Sequence, residues 1–144
     1  MDEALADVLE ELAAFGREND TRETDRERRM LNITPETGRL LAILVRVMGA
    51  RQILEIGTSN GYSTIWLAWA ALTTGGHVTT VERSASKVAL ARANLDRAGL
   101  TQMVSVREGQ ALDVLAGLSD PFDLIFLDAD RESYLAYLHR LLPL

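Results

Sequence analysis

The sequence predicts an α/β fold in which a mostly parallel open sheet carries helices on both faces. Four short apolar or β-branched runs, at about 52–57, 78–82, 103–107 and 122–128, alternate with longer segments of helical periodicity. The first run ends in a glycine-containing loop that leads directly into an apolar helical segment. Sheets of this kind bind ligands at the carboxyl ends of their strands. The expected architecture is therefore Rossmann-like, with a site at that edge.

The composition indicates one soluble domain over residues 1–144, in which residues 1–30 form an N-terminal helix and a charged connector. The 144 residues are 47% apolar and 25% charged, which is enough for a core. The net charge of −6 argues against a nucleic-acid partner or an anionic membrane surface, because phosphate contacts need clustered cations. Cysteine is absent and no apolar run is long enough to span a membrane, so we expect a cytoplasmic location.

The N-terminal part is predicted to begin with an amphipathic helix. Apolar residues from Leu5 to Phe15 repeat at helical spacing, which predicts a helix over about residues 3–16 that Gly16 ends. The mostly charged run 17–29 has no apolar residue to bury. It is expected to be a solvated helix face or a mobile connector, and a lid over the site is the alternative.

Two further helices flank the first predicted strand. Thr34 and Pro35 are a cap and a first helical residue, respectively, and predict a buried helix up to Gly49. The apolar residues of that helix are Leu40, Leu41, Leu44, Val45 and Met48. After the glycine loop, an apolar segment with Trp66 and Trp69 predicts a helix whose tryptophans pack in the core or against another subunit.

The spacing of the glycines in the loop indicates which class of nucleotide ligand the loop could bind. Gly57 and Gly61 form a G-x-x-x-G pattern, whereas a dinucleotide site needs a middle glycine at the position of Ser59. The loop also lacks the Lys-Ser/Thr ending of a nucleoside-triphosphate P-loop. An NAD-dependent oxidoreductase is therefore disfavoured.

Three acidic residues are predicted to meet at the carboxyl edge. Glu55 lies in the first apolar run, where its carboxylate needs a partner such as a cationic ligand group. Glu82 ends the second run, where two carboxylate oxygens can accept from two vicinal ribose hydroxyls; a surface pair with Arg83 is the alternative. Asp128 follows the fourth run. An acidic pocket suits a cationic ligand better than a pyrophosphate.

These motifs together resemble the S-adenosylmethionine-dependent O-methyltransferases of the catechol and caffeoyl-CoA type. The resemblance runs from about Met30 to Leu144 and rests on Leu-Glu-Ile-Gly-Thr-Ser-Asn-Gly-Tyr-Ser at 54–63, with Val81-Glu82 and Asp128-Ala129-Asp130 downstream. It implies methyl transfer to a hydroxyl of a small aromatic, catechol-like substrate. It also implies S-adenosylmethionine as cofactor, a divalent cation such as Mg²⁺, and a homodimer.

The resemblance assigns site residues as well. Asp128 is the implied metal ligand and catalytic residue, and Asp130 is expected to cap the following helix rather than to assist. The residues that the resemblance places at the cofactor are Ile33, Glu55, Gly57, Thr58, Gly61, Tyr62, Ser63, Glu82, Arg83, Gly109, Gln110, Ala111 and Asp128.

Two departures from the family pattern leave an alternative open. Arg131 stands where catechol-type members commonly have a lysine that acts as a general base, and arginine stays protonated. The sequence also stops after the fourth strand, where the family continues with an Asp-Asn pair of metal ligands. The chain is therefore expected to be a fragment or to be completed by a partner chain. The alternative function is a non-catalytic Rossmann-like interaction or regulatory module.

Overall fold

A single sheet of four parallel strands, in the order β3-β2-β1-β4, forms the centre of the molecule. The computed structural model describes all residues, 1–144. The strands are β1 (Gln52–Ile56), β2 (His77–Glu82), β3 (Val104–Glu108) and β4 (Leu124–Leu127). The predicted parallel α/β sheet is confirmed, although β4 is shorter than the run 122–128 and lies at an edge of the sheet.

Six α-helices accompany the strands. They are α1 (Glu3–Arg22), α2 (Pro35–Met48), α3 (Tyr62–Thr74), α4 (Ala85–Arg97), α5 (Ala111–Ala116) and α6 (Tyr134–Leu141). Each of the crossovers from β1 to β2 and from β2 to β3 contains a helix, as parallel neighbours require. No helix of this chain combines the length and the apolarity that a membrane crossing needs.

The core lies on both faces of β1. Ile53 on one face belongs to a large cluster with α1, α2 and α3, and Leu54 on the other face belongs to a smaller cluster with α5 and α6. Both side chains are fully buried, as expected for a central parallel strand. Burial of each such side chain stabilises the fold by about 1.5–3 kcal/mol.

Helix α1 does not end at Gly16 as predicted, but continues to Arg22. The reason is a tertiary contact: a Cβ at residue 16 would lie 2.5 Å from the side-chain nitrogen of Asn32. That nitrogen donates to the Leu12 carbonyl, at 3.0 Å. Gly16 therefore provides room for Asn32, and its helix propensity, about 1 kcal/mol poorer than that of alanine, is outweighed.

Helix α2 is only half-buried, which corrects the prediction of a buried helix. Leu41, Ala42 and Val45 face the core, but the larger apolar side chains on the other side of the helix point outward and are exposed. The exposed set is Leu40, Ile43, Leu44, Val47 and Met48. Helix α6 is half-buried as well: Tyr137 and Leu141 are buried, whereas Leu135 and Leu138 are exposed. Hydrophobic residues alone therefore do not identify the side of a helix that packs.

The tryptophan prediction holds for Trp66, which is buried in the main core. Trp69 is half-buried and meets Trp66 edge to face, with ring centroids 6.0 Å apart. The Arg46 guanidinium lies 3.9 Å over the Trp69 ring. A cation in this position contributes about 0.5–1 kcal/mol at an exposed site.

Candidate functional site

Backbone hydrogen bonds continue past the strand ends and join three loops at the carboxyl edge. The Gly57 amide donates to the Val81 carbonyl at 3.0 Å, and the Gly109 amide donates to the Glu82 carbonyl at 3.0 Å. The Asp128 amide donates to the Ile56 carbonyl at 2.9 Å. The loops after β1, β3 and β4 are thereby placed side by side, as the sequence predicted.

Gly57 and Gly61 both adopt positive φ angles, of 107° and 87°. A Cβ at residue 57 would lie 2.1 Å from the Asp128 carbonyl oxygen, so only glycine fits there. Gly61 is the cap residue of α3 and offers no side chain to the first amides of that helix. The loop therefore presents backbone groups, which is what a close approach to a ligand requires.

Ser59 occupies the tip of this loop with a φ of 49°, which is unusual for a residue other than glycine. Its amide donates to Glu82 Oε2 at 2.9 Å, and its hydroxyl donates to the Met30 carbonyl at 2.6 Å. The sequence indicated Ser59 only as a reason against a dinucleotide. The structure shows that it connects the loop to β2 and to the segment before α2.

Glu82 is half-buried, and each of its oxygens accepts one backbone amide. Oε2 accepts from Ser59, and Oε1 accepts from Ser84 at 2.9 Å. A carboxylate oxygen has two lone-pair sites, so each oxygen keeps capacity for a further donor. The proposed pairing with Arg83 is wrong, because Arg83 pairs with Glu27 at 3.1 Å. Arg83 also carries an assigned cofactor role, which stays a prediction.

Glu55 lies beneath the loop and does not join the other acids at the open edge. Its side chain is fully buried and accepts from Ser63 at 2.5 Å, Thr64 at 2.5 Å and Thr80 at 2.6 Å. The partner that Glu55 was expected to need is supplied by these three hydroxyls of the fold, and its assigned cofactor role stays a prediction. Burial raises the pKa of this carboxyl to about 7; the hydroxyls oppose the shift, and the negative charge of Asp128 adds to it.

The same internal network takes up other predicted side chains. The Thr58 hydroxyl lies 2.6 Å from that of Thr80, and the Ser63 hydroxyl is committed to Glu55. Tyr62 is buried in the main core. The Ser63 hydroxyl can still accept a hydrogen bond from a ligand, because donation to Glu55 leaves its lone pairs free. Ile33, before α2, is half-buried and packs against the main core.

The loop after β3 supplies small residues and one amide side chain. Gly109 has a φ of 151°, and a Cβ there would lie 3.1 Å from Val114 Cγ2. Gln110 is exposed and precedes α5, which begins at the half-buried Ala111. Gly109 lies beside the end of β2, since its amide donates to the Glu82 carbonyl, and its assigned cofactor role stays a prediction.

The loop after β4 contains an exposed acid and a capping acid. Desolvation raises the pKa of the exposed Asp128, and Arg131 opposes the shift. Asp130 accepts from the Ser133 amide at 3.0 Å and from the Tyr137 hydroxyl at 2.9 Å. It therefore acts as a cap, but of the 3₁₀ turn Arg131–Ser133 that leads into α6 rather than of α6 itself. No three acidic or imidazole side chains of this chain lie close enough to hold a metal ion.

Asn60 is a fully buried residue of the loop that the sequence did not reveal. Its Oδ1 accepts from the Tyr62 amide at 3.2 Å, and its carbonyl accepts from Asn94 of α4 at 2.8 Å. Its Nδ2 has no partner. A polar residue within a polar loop gives no signal of burial, and the contact with Asn94 is long-range.

The parallel sheet, the glycine loop after β1 and the carboxylate after β2 define a Rossmann-like ligand-binding domain. The chain belongs to the O-methyltransferase family, whose family model matches residues 4–144. This result confirms the resemblance on which the site assignments rest.

Named relatives agree with this membership. The chain is 43% identical over 111 residues to a catechol O-methyltransferase of Niastella koreensis, and the aligned region covers 74% of this chain and 50% of the relative. It is 45% identical over 107 residues to that of Mycobacterium tuberculosis, over 74% of this chain and 48% of the relative. An O-methyltransferase structure from Bacillus cereus in complex with SAH matches with a TM-score of 0.78 and 41% identity, over 99% of this chain and 61% of the other. The chain spans about half the length of the curated relatives it matches.

Proposed function

We propose that this chain binds S-adenosylmethionine and serves a methyltransferase that acts on a hydroxyl of a small aromatic, catechol-like substrate. The names of the catechol O-methyltransferase relatives and the SAH complex of the Bacillus cereus protein support the reaction class and the cofactor. When bound, the cofactor supplies a sulfonium methyl group for an in-line displacement by the acceptor oxygen.

Glu82 is the observation that carries the proposal. It lies at the end of β2 beside the glycine loop, and its two oxygens each keep a lone pair beyond the amides of Ser59 and Ser84. Two adjacent acceptors match the two vicinal hydroxyls of a ribose. A net negative edge with Asp128 also suits a cationic cofactor better than a pyrophosphate.

The remaining residues of the site act by shape and position. Gly57 brings the loop against the carbonyl of Asp128, and Gly61 opens the first turn of α3. Gly109 places the loop after β3 next to Glu82, because its amide donates to the Glu82 carbonyl. These residues hold the cofactor in one orientation, and alignment of the reacting atoms is the main requirement of a displacement.

The divalent cation stays a prediction that the residues of this chain do not complete. Asp128 can supply one carboxylate, but it is not part of any group of three acidic or imidazole side chains that could hold a metal ion. Arg131 remains protonated and is unsuited to take the acceptor's proton. No step of the reaction is therefore assigned to a metal or to a base of this chain.

Calorimetric titration of the 144-residue chain with SAH (S-adenosylhomocysteine, the demethylated product) tests the proposal. We expect micromolar binding, no binding of NAD⁺, and methyl transfer from S-adenosylmethionine to catechol only where the cofactor site is filled. A folded chain that binds no SAH would refute the cofactor assignment. Methyl transfer to a catechol would exclude the interaction module.

The homodimer and the cytoplasmic location are also proposals. The exposed apolar face of α2, together with Trp69 under Arg46, supports a second copy of this chain as partner. Light scattering of the purified chain measures that state, and a monomer at micromolar concentration would count against it.

A further inference from the structure

The segment 25–33, here called the strap, crosses from α1 to α2 next to the loop that contains Ser59. It includes a short 3₁₀ turn, Arg26–Arg28, that the side chain of Asp25 caps at the Glu27 amide, at 3.0 Å. The strap then passes Met30, which is buried, and Leu31, which has a φ of 52°. A leucine seldom adopts this conformation, so the surrounding contacts must hold it there.

Helix α1 holds the strap from one side. Asp20 accepts from the Met30 amide at 2.6 Å and from the Leu31 amide at 2.7 Å, one with each carboxylate oxygen. Desolvation acts to raise the pKa of the Asp20 carboxyl, but a hydrogen bond from Asn19, the two amide bonds and the charge of Arg29 together lower it. The amides of Met30 and Leu31 are therefore directed toward α1, and Asn19 of α1 also donates to the Arg28 carbonyl at 3.0 Å. The carbonyls of Arg29 and Met30 have their partners on the other side.

The sheet side supplies two donors to two consecutive carbonyls. Ser59 donates its hydroxyl to the Met30 carbonyl at 2.6 Å, and Lys87 of α4 donates its ammonium to the Arg29 carbonyl at 2.7 Å. Lys87 is the only lysine of the chain. The third contact across this junction, Glu27 with Arg83, joins two exposed side chains and contributes little.

We propose that Ser59 and Lys87 are positioning residues that hold the strap as one wall of the cofactor site, so that cofactor binding and strap attachment favour each other. The coupling runs through Ser59, because its amide bonds to Glu82 while its hydroxyl bonds to the strap. A ligand bound to the Glu82 oxygens is therefore separated from the strap by Ser59 alone. This inference rests on the proposed function.

The coupling is reciprocal. If the attached strap raises affinity for the cofactor, the bound cofactor must stabilise the attached strap by the same factor. The three arginines of the strap, Arg26, Arg28 and Arg29, are trypsin sites, and their cleavage requires local opening of the segment. Trypsin sensitivity within the strap is therefore a readout of its attachment that needs no enzymatic activity.

The test compares variants that remove one donor with variants that keep it. Ser59→Ala and Lys87→Met each remove a donor, and Lys87→Arg restores a cation that can reach a carbonyl. Ser59→Gly also lacks the hydroxyl but relieves the positive φ, so it separates the hydrogen bond from backbone strain. Matched controls on α4 are Ser86→Ala and Arg92→Met, because both residues are exposed and neither contacts the strap.

Two measurements are made on each variant: the SAH affinity by calorimetry and the rate of trypsin cleavage at residues 26–29 with and without SAH. We expect Ser59→Ala, Ser59→Gly and Lys87→Met to weaken SAH binding at least about fivefold and to speed cleavage similarly. SAH should slow cleavage of the wild type more than that of these variants. Lys87→Arg and the two controls should stay within about twofold of the wild type.

The outcomes separate this inference from the proposed function. Wild type that binds SAH, with unaltered affinity in the three variants, would overturn the coupling alone. Faster cleavage without a change in affinity would show that the strap is plain surface and would overturn its role as a wall. A folded wild type that binds no SAH would overturn the proposed function and the coupling with it.

Discussion

The carboxyl ends of β1 and β2 each carry a glutamate, but the two side chains have opposite surroundings. Glu55 of β1 is fully buried and accepts three hydroxyls. Glu82 of β2 is half-buried and accepts two backbone amides. The hydroxyls around Glu55 come from within the fold and leave it no access to a ligand, whereas the amides around Glu82 leave lone pairs at the open edge.

This difference shows that position at the carboxyl edge does not by itself give a residue a binding role. A buried acid with three donors fixes α3 and β2 relative to β1, because Ser63 and Thr64 lie on α3 and Thr80 lies on β2. A half-buried acid with spare acceptor sites can exchange water for a ligand. Stability measurements should therefore respond to Glu55, and affinity measurements should respond to Glu82.

The largest effect is expected for Glu55→Ala, which should lower the free energy of unfolding by about 4 kcal/mol, since three buried hydroxyls lose their acceptor and a cavity is left. Urea unfolding near pH 6 measures this loss. Glu108→Ala, at the exposed end of β3, is the matched control and should change stability by less than about 0.5 kcal/mol. Equal losses of unfolding free energy in Glu55→Ala and Glu108→Ala would contradict a structural role for Glu55.

A pH series should produce the next largest effect. The pKa of Glu55 is raised to about 7 in the folded chain, above its usual value of 4.5, so the folded state holds a proton that the unfolded chain releases in that interval. The contribution of Glu55 to stability is full below pH 4.5, the unfolded pKa. It declines by about 3 kcal/mol as the pH rises to the folded pKa of about 7.

Glu55→Gln isolates this contribution because glutamine does not titrate. Urea unfolding of both proteins between pH 4.5 and 8 should show wild type losing stability relative to Glu55→Gln as pH rises. Parallel curves over this range would mean that the buried carboxyl stays ionised at all of these pH values.

The smallest change in free energy is expected for Glu82→Ala, and it concerns the binding of SAH rather than unfolding. Loss of two acceptors for ribose hydroxyls should weaken SAH binding at least tenfold, or about 1.4 kcal/mol. Glu82→Gln keeps one carbonyl acceptor and should fall between wild type and Glu82→Ala. Calorimetry on these variants, with Glu108→Ala as the control, makes the measurement. Unchanged affinity in Glu82→Ala would refute the ribose assignment.

Local signals in the sequence were sufficient for the sheet and the loop. β-branched and apolar runs predicted the parallel strands, and Gly57 and Gly61 marked positions where the backbone does adopt positive φ. The place of Glu82 at the carboxyl edge was also predicted correctly, because the local sequence marks where β2 ends.

The errors concern contacts between distant segments. The environment of Glu55 depends on Thr80, which the crossover through α3 brings alongside. The extension of α1 depends on Asn32, which lies against Gly16. Neither partner is marked by composition or period, so the sequence could predict that Glu55 needs a partner but not which one. The role of Ser59 in joining the loop to Met30 was not predicted for the same reason, because that contact joins segments far apart in the chain.

The close approach of Gly57 to the Asp128 carbonyl has a consequence for sequence variation. A side chain at residue 57 would displace the loop after the neighbouring strand β4, and with it the carboxylate of Asp128. In a saturation mutagenesis library selected for folded protein, we expect codon 57 to tolerate glycine alone, whereas Gly49 and Gly99, with open space around them, should accept asparagine.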